Sequence, residues 1–208
     1  MDSRQAYAIH QIDPNSMMPD IVDIIHRSFA TVAEELGLTR RNCPGHPAFL
    51  PHGELARTLL LPGVICFGGF ADEEMADTSA LAGFAAMWPK ARHIYELTRL
   101  CVAPERRHAG LGRLLMDEAA RRAKAEGARK IAIDVIDENV RLKAWYLAYG
   151  FRETGKHTYP HLPFTVCEME LDIIAPNHLH CGAIYAIIQT KSISWKKGAC
   201  KVRVREGR

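Results

Sequence analysis

The sequence lacks the paired cysteines of a disulfide framework or of a structural zinc site. None of its six cysteines forms a CxxC pair, and they are scattered along the chain: Cys43, Cys66, Cys101, Cys167, Cys181 and Cys200. Scattered cysteines are typical of a protein in a reducing compartment, where disulfides do not persist. Residues 1–10 also lack the basic start and apolar run of a secretory signal. We therefore expect a cytoplasmic protein without disulfide bonds.

Long hydrophobic runs are absent as well. The longest largely apolar stretch, residues 58–70, contains Pro62 and three glycines and is too short to span a bilayer, so we expect no membrane association. Hydrophobic residues make up 48% of the chain and charged residues 25%, which is the balance of a globular protein. A chain of 208 residues suits one domain of ordinary size. We expect that domain over residues 1–174, followed by a basic, poorly ordered extension over residues 175–208.

The excess of positive over negative charge lies in that extension. The net charge is +3, yet residues 177–208 hold seven lysines and arginines against one acidic residue, so the rest of the chain is mildly acidic. The overall charge therefore argues against a nucleic-acid partner. His178, His180 and Cys181 lack a fourth ligand at a sensible spacing, so we expect no metal. A nucleic-acid-binding role for the basic extension remains an alternative function.

Hydrophobic periodicity and turn residues predict alternating strands and helices. The predicted strands cover residues 6–13, 63–70, 81–88, 93–102, 130–136, 151–156 and 164–171. The predicted helices are a first one that ends near Gly37, and others over residues 54–60, 111–126 and 138–149. Residues 40–51 form a proline-rich loop, and the acidic residues 71–77 form a solvated connection. The strand–helix–strand order through Val135 implies one right-handed parallel crossover in an otherwise antiparallel sheet.

A glycine-containing loop lies between the fourth predicted strand and the following helix. It reads Val-Ala-Pro-Glu-Arg-Arg-His-Ala-Gly-Leu-Gly-Arg from Val102 to Arg113. The free amides and the dipole of a helix N-terminus bind anions, and glycines let phosphate oxygens approach the main chain. A P-loop would need Lys-Ser/Thr after the last glycine, and a dinucleotide site would need a third glycine where Leu115 stands. The loop predicts a pyrophosphate site, the alternative being a plain turn with two glycines.

A second motif follows the loop at a fixed distance. Residues 107–112 match the pattern Q/R-x-x-G-x-G/A, and Asn139 and Tyr146 stand seven residues apart, ahead of Gly150 and Phe151. With both motifs in this order, the sequence resembles the GNAT superfamily of N-acetyltransferases. The resemblance spans about residues 9–172 in element order and residues 100–151 in motifs.

The resemblance implies an α/β (α+β) fold with a mixed, mostly antiparallel sheet of about seven strands and about four helices. Its fourth and fifth strands, which run parallel and are joined by the third helix, would splay to admit acetyl-CoA, the co-substrate. The main chain of Leu100, Cys101 and Val102 would bind the pantetheine arm, and Asn139 would contact the cofactor near the same arm. The pyrophosphate would lie on the loop formed by Arg107, His108, Ala109, Gly110, Leu111, Gly112 and Arg113.

Family members transfer the acetyl group directly to an amine, without a protein nucleophile. Tyr146 is then the candidate general acid for the leaving thiolate, unless its ring only packs under the sheet. An amine with a pKa near ~10 arrives protonated, so a base or a water relay is needed. Glu96 is the candidate base, with an ordinary strand carboxylate as the alternative. His46 and His161 are weaker candidates in loops that would border the acceptor cleft.

The acceptor is left open by the motifs. We expect a primary amine of a small molecule, because the proline-rich residues 40–51 and 159–164 suggest a bordered pocket. A protein N-acetyltransferase and a catalytically idle CoA-binding or regulatory module are the alternatives. The sequence also leaves open whether the protein forms a homodimer.

Overall fold

The computed structural model describes residues 7–71 and 81–173 of the chain. Their elements follow in this order: β1 (Tyr7–Ile12), α1 (Met18–Glu35), α2 (His52–Leu59), β2 (Ile65–Ala71), β3 (Leu81–Ala91), β4 (Ile94–Val102), α3 (Leu111–Ala125), β5 (Lys130–Ile136), α4 (Val140–Tyr149), β6 (Arg152–Thr158) and β7 (Thr165–Asp172). A short 3₁₀ turn, Pro104–Arg106, precedes α3.

The strands form one seven-stranded sheet in the order β1-β2-β3-β4-β5-β7-β6. Five of the six neighbouring pairs are antiparallel, and only β4 and β5 run parallel, joined by α3. The predicted mixed sheet, its single parallel crossover and its four helices are thereby confirmed. Most of the predicted acidic connection and the whole basic extension, with His178, His180 and Cys181, lie outside the described residues.

The sheet buries a core on each face, because successive side chains of a strand point to opposite sides. On one face, Leu111, Leu115 and Met116 of α3 pack against strand residues such as Leu97 and Ile131. On the other face, α1 and α2 cover a core that includes Phe84 of β3 and Cys101 of β4. We call these the α3 face and the α1 face.

The pairing of β4 with β5 is short and leaves a wedge between them. It comprises Ile94↔Lys130, Tyr95↔Ile131 and Glu96↔Ala132, although β4 continues to Val102 and β5 to Ile136. Beyond Glu96, β4 remains paired only with β3, and β5 only with β7. Arg99 adopts a positive φ of 56° in this part of β4. The wedge thus leaves two main-chain edges facing each other without a ladder between them.

Two glycines allow α3 to approach the sheet next to the wedge. A Cβ on Gly69 would lie 2.6 Å from Leu111 Cδ1, and one on Gly83 would lie 2.9 Å from Leu115 Cδ1. Both leucines are fully buried, so they have little room to move. Glycine at these positions therefore sets where the first turn of α3 lies.

We expect Gly83→Ala to lower the free energy of unfolding by about 1–3 kcal/mol, because the added methyl overpacks the core under α3. Gly53→Ala is the matched control, since a Cβ there meets nothing within 4 Å and alanine favours the helix. Urea denaturation of the two variants measures the difference. Equal stability of Gly83→Ala and the unmodified protein would contradict the tight contact between α3 and β3.

Candidate active site

The loop before α3 has the geometry of an anion-binding site. Gly110 is the residue before the helix and takes a left-handed conformation with φ 88°, and His108 also has a positive φ of 64°. The amides of Arg113 and Leu114 bond to the Gly110 carbonyl, whereas the earlier amides of the helix have no preceding intrahelical acceptor. Free amides at the positive end of the helix dipole attract phosphate oxygens.

Gly112 lies where α3, β4 and α4 meet. A Cβ at this position would lie 3.7 Å from Val102 Cγ2 and 3.9 Å from Trp145 Cζ2, which are ordinary contact distances. Val102 ends β4, and Trp145 belongs to the helix that follows β5. The predicted pyrophosphate loop therefore lies at the end of the wedge where β4 reaches Val102, which we call its mouth.

Arg107 is bound inward, to α1. Its guanidinium donates to the Ser28 carbonyl at 2.9 Å, to Thr31 Oγ1 at 3.0 Å and to the Val102 carbonyl at 3.3 Å. These bonds tie the loop to the helix on the α1 face. The side chain predicted to add charge to a pyrophosphate thus has a structural task, and its contact with a cofactor stays a prediction.

Arg113 is more exposed than Arg107. Its side chain is 70% exposed, its Nε lies 3.9 Å from Asp117 Oδ2, and its guanidinium stands 5.5 Å from the ring centre of Tyr149. The Tyr149 hydroxyl in turn donates to Asp117. Arg113 is therefore an exposed cation next to the start of α3.

The residues predicted to hold the pantetheine arm alternate between the two faces. Leu100 and Val102 pack against the α3 core, and Cys101 is buried in the α1 core. The Val102 carbonyl already accepts from Ser28 Oγ at 3.0 Å and from Arg107. Burial raises the pKa of Cys101 to about 12, so its sulfur is a protonated thiol at neutral pH. This rules Cys101 out as a ready nucleophile.

Asn139 begins α4. Its side-chain oxygen accepts from the Leu142 amide at 3.1 Å, which is an N-cap bond. This cap accounts for asparagine at the position. The contact of Asn139 with a cofactor stays a prediction. The cap sets the first turn of the helix that carries Tyr146.

Tyr146 is buried at the α3 face, with 6% of its surface exposed. Its ring makes edge contacts with Trp145 at 4.9 Å and with Phe151 at 5.2 Å between ring centres. Burial raises the pKa of Tyr146, so its hydroxyl keeps its proton throughout the neutral range. The geometry thus combines the two interpretations of this tyrosine, a packed ring and a phenol able to donate.

Glu96 stands at the last paired position before the wedge opens, with its side chain 19% exposed. Its neighbour Leu97 belongs to the α3 core, so Glu96 points to the α1 face. Lys90 Nζ lies 3.2 Å from Glu96 Oε2. Burial raises the pKa of Glu96, Lys90 lowers it, and the negative charge of Asp134 raises it again.

Asp134 is the residue that sequence reasoning missed. It lies on β5 two positions beyond Ala132, between Ile133 and Val135 of the α3 core, so it shares the α1 face with Glu96. Burial raises the pKa of Asp134. A single carboxylate in an otherwise apolar strand was the available signal, but only the pairing of β4 with β5 brings it beside Glu96.

The candidate acid and the carboxylates therefore lie on opposite sides of the sheet. Tyr146 belongs to the core on the α3 face, whereas Glu96 and Asp134 point to the α1 face.

His46 is buried between the rings of Phe29 and Phe49, each 5.8 Å away between centres. Its Nδ1 accepts from the Ala48 amide at 3.4 Å. Burial and the charge of Arg99 lower the pKa of His46 to about 4, so it is neutral at pH 7. Since its one lone pair is engaged, His46 is a poor base. His161 is partly buried against Tyr159, and its Nε2 has no hydrogen-bond partner within residues 7–71 and 81–173.

Asp137, Glu153 and Cys167 place potential metal-ligating atoms within 4.8 Å of one another. Lys143 pairs with both carboxylates, and Lys156 Nζ lies 2.9 Å from Asp137 Oδ2. Two ammonium groups thus compensate the acidic charge of this cluster.

None of the helices in the described ranges is long and apolar enough to cross a membrane.

Solved structures with the same fold include three N-acetyltransferases. The ribosomal-protein-S18-alanine N-acetyltransferase of Escherichia coli superposes with a TM-score of 0.62 at 17% identity, covering 85% of this chain and 100% of that one. The PaiA N-acetyltransferase of Thermoplasma acidophilum, in complex with coenzyme A, gives 0.60 at 20% identity over 80% and 99%. An aminoglycoside 6'-N-acetyltransferase complexed with coenzyme A gives 0.58 at 18% identity over 82% and 99%.

At these identities the likeness concerns the fold. No curated protein sequence matches the chain significantly. The profile of the acetyltransferase (GNAT) family matches residues 36–151, which is more than half of the chain and includes the glycine loop, Glu96, Asp134 and Tyr146. This match and the wedge between β4 and β5 lead to one conclusion: the chain belongs to the GNAT family of acetyltransferases.

Proposed function

We propose that this protein is an N-acetyltransferase that moves an acetyl group from acetyl-CoA to a primary amine of a small molecule. The observation that carries the proposal is the wedge beyond Glu96 and Ala132, with the N-terminus of α3 near the end of β4, and with Tyr146 on one face of the sheet and Glu96 on the other. Two of the structures with this fold hold coenzyme A.

The donor half of the site fits a CoA thioester. The left-handed Gly110 and the free amides at the start of α3 suit a pyrophosphate, and the exposed Arg113 adds positive charge. Beyond Glu96, the free edge of β4 offers main-chain groups to an extended amide-bearing arm, as an added strand would bond. Bound there, acetyl-CoA supplies an activated acetyl group.

The acceptor half lies on the α1 face. An ammonium entering from this side meets Glu96 and Asp134, and Glu96, directly or through water, takes the proton that blocks its lone pair. On the other side, the Tyr146 hydroxyl supplies a proton to the departing thiolate. Because Cys101 is a protonated, buried thiol, the proposed transfer is direct.

A small acceptor is favoured by the loop between α1 and α2. His46 of this loop packs between Phe29 of α1 and Phe49 of the same loop, which gives the α1 face a bordered and partly apolar rim. An extended peptide would need an open groove instead. A protein N-terminus is therefore the second outcome that the assay below must separate.

The direct test is release of CoA thiol from acetyl-CoA with spermidine, kanamycin, L-phenylalanine and an alanine-initiated decapeptide. We expect turnover with one of the three small amines and a product heavier by one acetyl group in the mass spectrum. Turnover with the decapeptide alone would replace the small acceptor by a protein N-terminus. Binding of CoA without turnover on any of them would favour a catalytically idle module.

Tyr146→Phe tests the general acid. We expect kcat to fall by about 10²-fold or more, with the affinity for acetyl-CoA nearly unchanged, because the variant loses only the donated proton. Tyr149→Phe is the matched control, since it removes another tyrosine hydroxyl of α4, one that bonds to Asp117 of α3. Steady-state kinetics give kcat, and calorimetry gives the affinity. An unchanged kcat in Tyr146→Phe would remove this residue from the mechanism.

Gly112→Asp tests the pyrophosphate loop. The new carboxylate would lie at the mouth of the wedge and repel the pyrophosphate, so we expect the Kd for CoA to rise about 10-fold or more, equivalent to about 1.4 kcal/mol. Gly112→Ala places only a methyl at ordinary contact distances and should bind CoA nearly as well as the unmodified protein. Calorimetric titration with CoA measures both. If Gly112→Asp binds normally, the anion lies elsewhere.

A further inference from the structure

A row of charged side chains crosses the α1 face of the sheet beside the wedge. Each of its members lies on a different strand: Lys90 on β3, Glu96 on β4, Asp134 on β5, Glu168 on β7 and His157 on β6. Asp134 stands directly opposite Glu168 in the antiparallel pair, and His157 Nε2 lies 3.4 Å from Glu168 Oε2. The row therefore carries three carboxylates, and Lys90 is its only permanent cation among the residues just named.

The strand register explains how Lys90 reaches Glu96. Trp88 pairs with Glu96 and Pro89 with Tyr95, and the register then shifts between Pro89 and Ala91. Lys90 is left at this irregularity, two residues beyond Trp88 and so on the same face. Its ammonium lies diagonally across from Glu96, 3.2 Å from the carboxylate.

The ion pair between Lys90 and Glu96 is partly buried. The Glu96 side chain is 19% exposed and that of Lys90 39%, so neither charge is fully hydrated. A carboxylate in such a place, with Asp134 close by, tends to take up a proton unless a cation compensates it. Burial lowers the pKa of Lys90, but Glu96, Asp134 and Glu168 raise it above its ordinary value, so the ammonium persists.

Other charges on this face are already engaged. Lys130 of β5 pairs with Glu170 of β7 at 2.6 Å, away from Glu96. Arg99 follows Glu96 on β4 and acts on His46, which comes from the connection between α1 and α2 and is neutral. Among the described residues, Lys90 is thus the cation whose ion pair with Glu96 the geometry shows.

We propose that Lys90 is a positioning residue for the transfer reaction, which keeps Glu96 ionised and holds its carboxylate at the apex of the wedge. The inference rests on the proposed function, in which Glu96 receives a proton from the acceptor. As the N–C bond forms and the C–S bond breaks, the amine gives up two protons in total. One ends on the CoA thiol, and the other leaves through Glu96 to solvent. A neutral Glu96 could not accept it.

The first experiment reads the charge of Glu96 without turnover. Protein labelled with ¹³C in its glutamate carboxyl groups is titrated by NMR, and Glu96→Gln assigns the signal. In Lys90→Met we expect the pKa of Glu96 to rise by about one unit or more. Lys90→Arg keeps the charge and should restore the original value. Asp134→Asn removes a negative neighbour and should lower it.

Lys130→Met is the matched control, because it removes a lysine from a similar strand ion pair on the same face. It should leave the Glu96 titration within a few tenths of a unit of the original, and thermal melts check that each variant is folded. An unchanged pKa of Glu96 in folded Lys90→Met, or an equal shift in Lys130→Met, would overturn the role of Lys90.

The second experiment is the pH profile of kcat/KM with the fastest of the four amines named above. Glu96 acts as a carboxylate, so activity is lost as the pH falls through its pKa. The acid limb of the profile should therefore move to higher pH by about one unit in Lys90→Met and to lower pH in Asp134→Asn. In Lys90→Arg it should lie where it does in the unmodified protein. If the acid limb of the pH profile does not move in Lys90→Met, the role of Lys90 is wrong. The proposed function still stands in that case, because the unmodified protein acetylates the amine.

If none of the four amines is acetylated, the proposed function fails, and the NMR titration still decides whether Lys90 controls the charge of Glu96.

Discussion

The early end of the β4–β5 pairing is the constraint on which the rest of this structure depends. Parallel neighbours normally continue their ladder, because an unpaired main-chain edge inside a protein is costly. Here the ladder stops at Glu96 and Ala132, although both strands continue. On its outer side β4 is hydrogen-bonded to β3, and β5 to β7, so the sheet opens between β4 and β5 while both strands stay in it. In the proposed function, the extended arm of CoA bonds along these two facing edges.

The wedge also decides which residues can work together. Alternation along β4 and β5 sends Glu96 and Asp134 to one face, while α4 delivers Tyr146 to the other. In the proposed reaction, a proton is then removed on one face of the sheet and supplied on the other. The loop before α3 has the geometry of an anion site, and Gly69 and Gly83 let the helix that follows it pack closely on the sheet.

The sequence was sufficient for the element order, since periodicity and turn residues are local properties, and the structure confirms the seven strands, the four helices and the parallel crossover. It was less informative about side chains in the loop. Arg107 and Arg113 look alike in a motif, yet one is bound to Ser28 and Thr31 of α1 and the other is exposed. Asn139 likewise serves as a helix cap, which a motif does not distinguish from a ligand contact.

The sequence by itself indicated the family, the position of the glycine loop and the candidate Tyr146, because these depend on the spacing of residues along one chain. Glu96 was a candidate through the family resemblance, which implies a carboxylate on this strand. Only the tertiary structure decided that Asp134 and Lys90 join Glu96, that His46 is neutral, and that the Cys101 thiol stays protonated. Those properties arise from burial and from neighbours on other strands. Lys90 and Asp134 lie 44 residues apart in the sequence, and the register of three strands places them at one carboxylate.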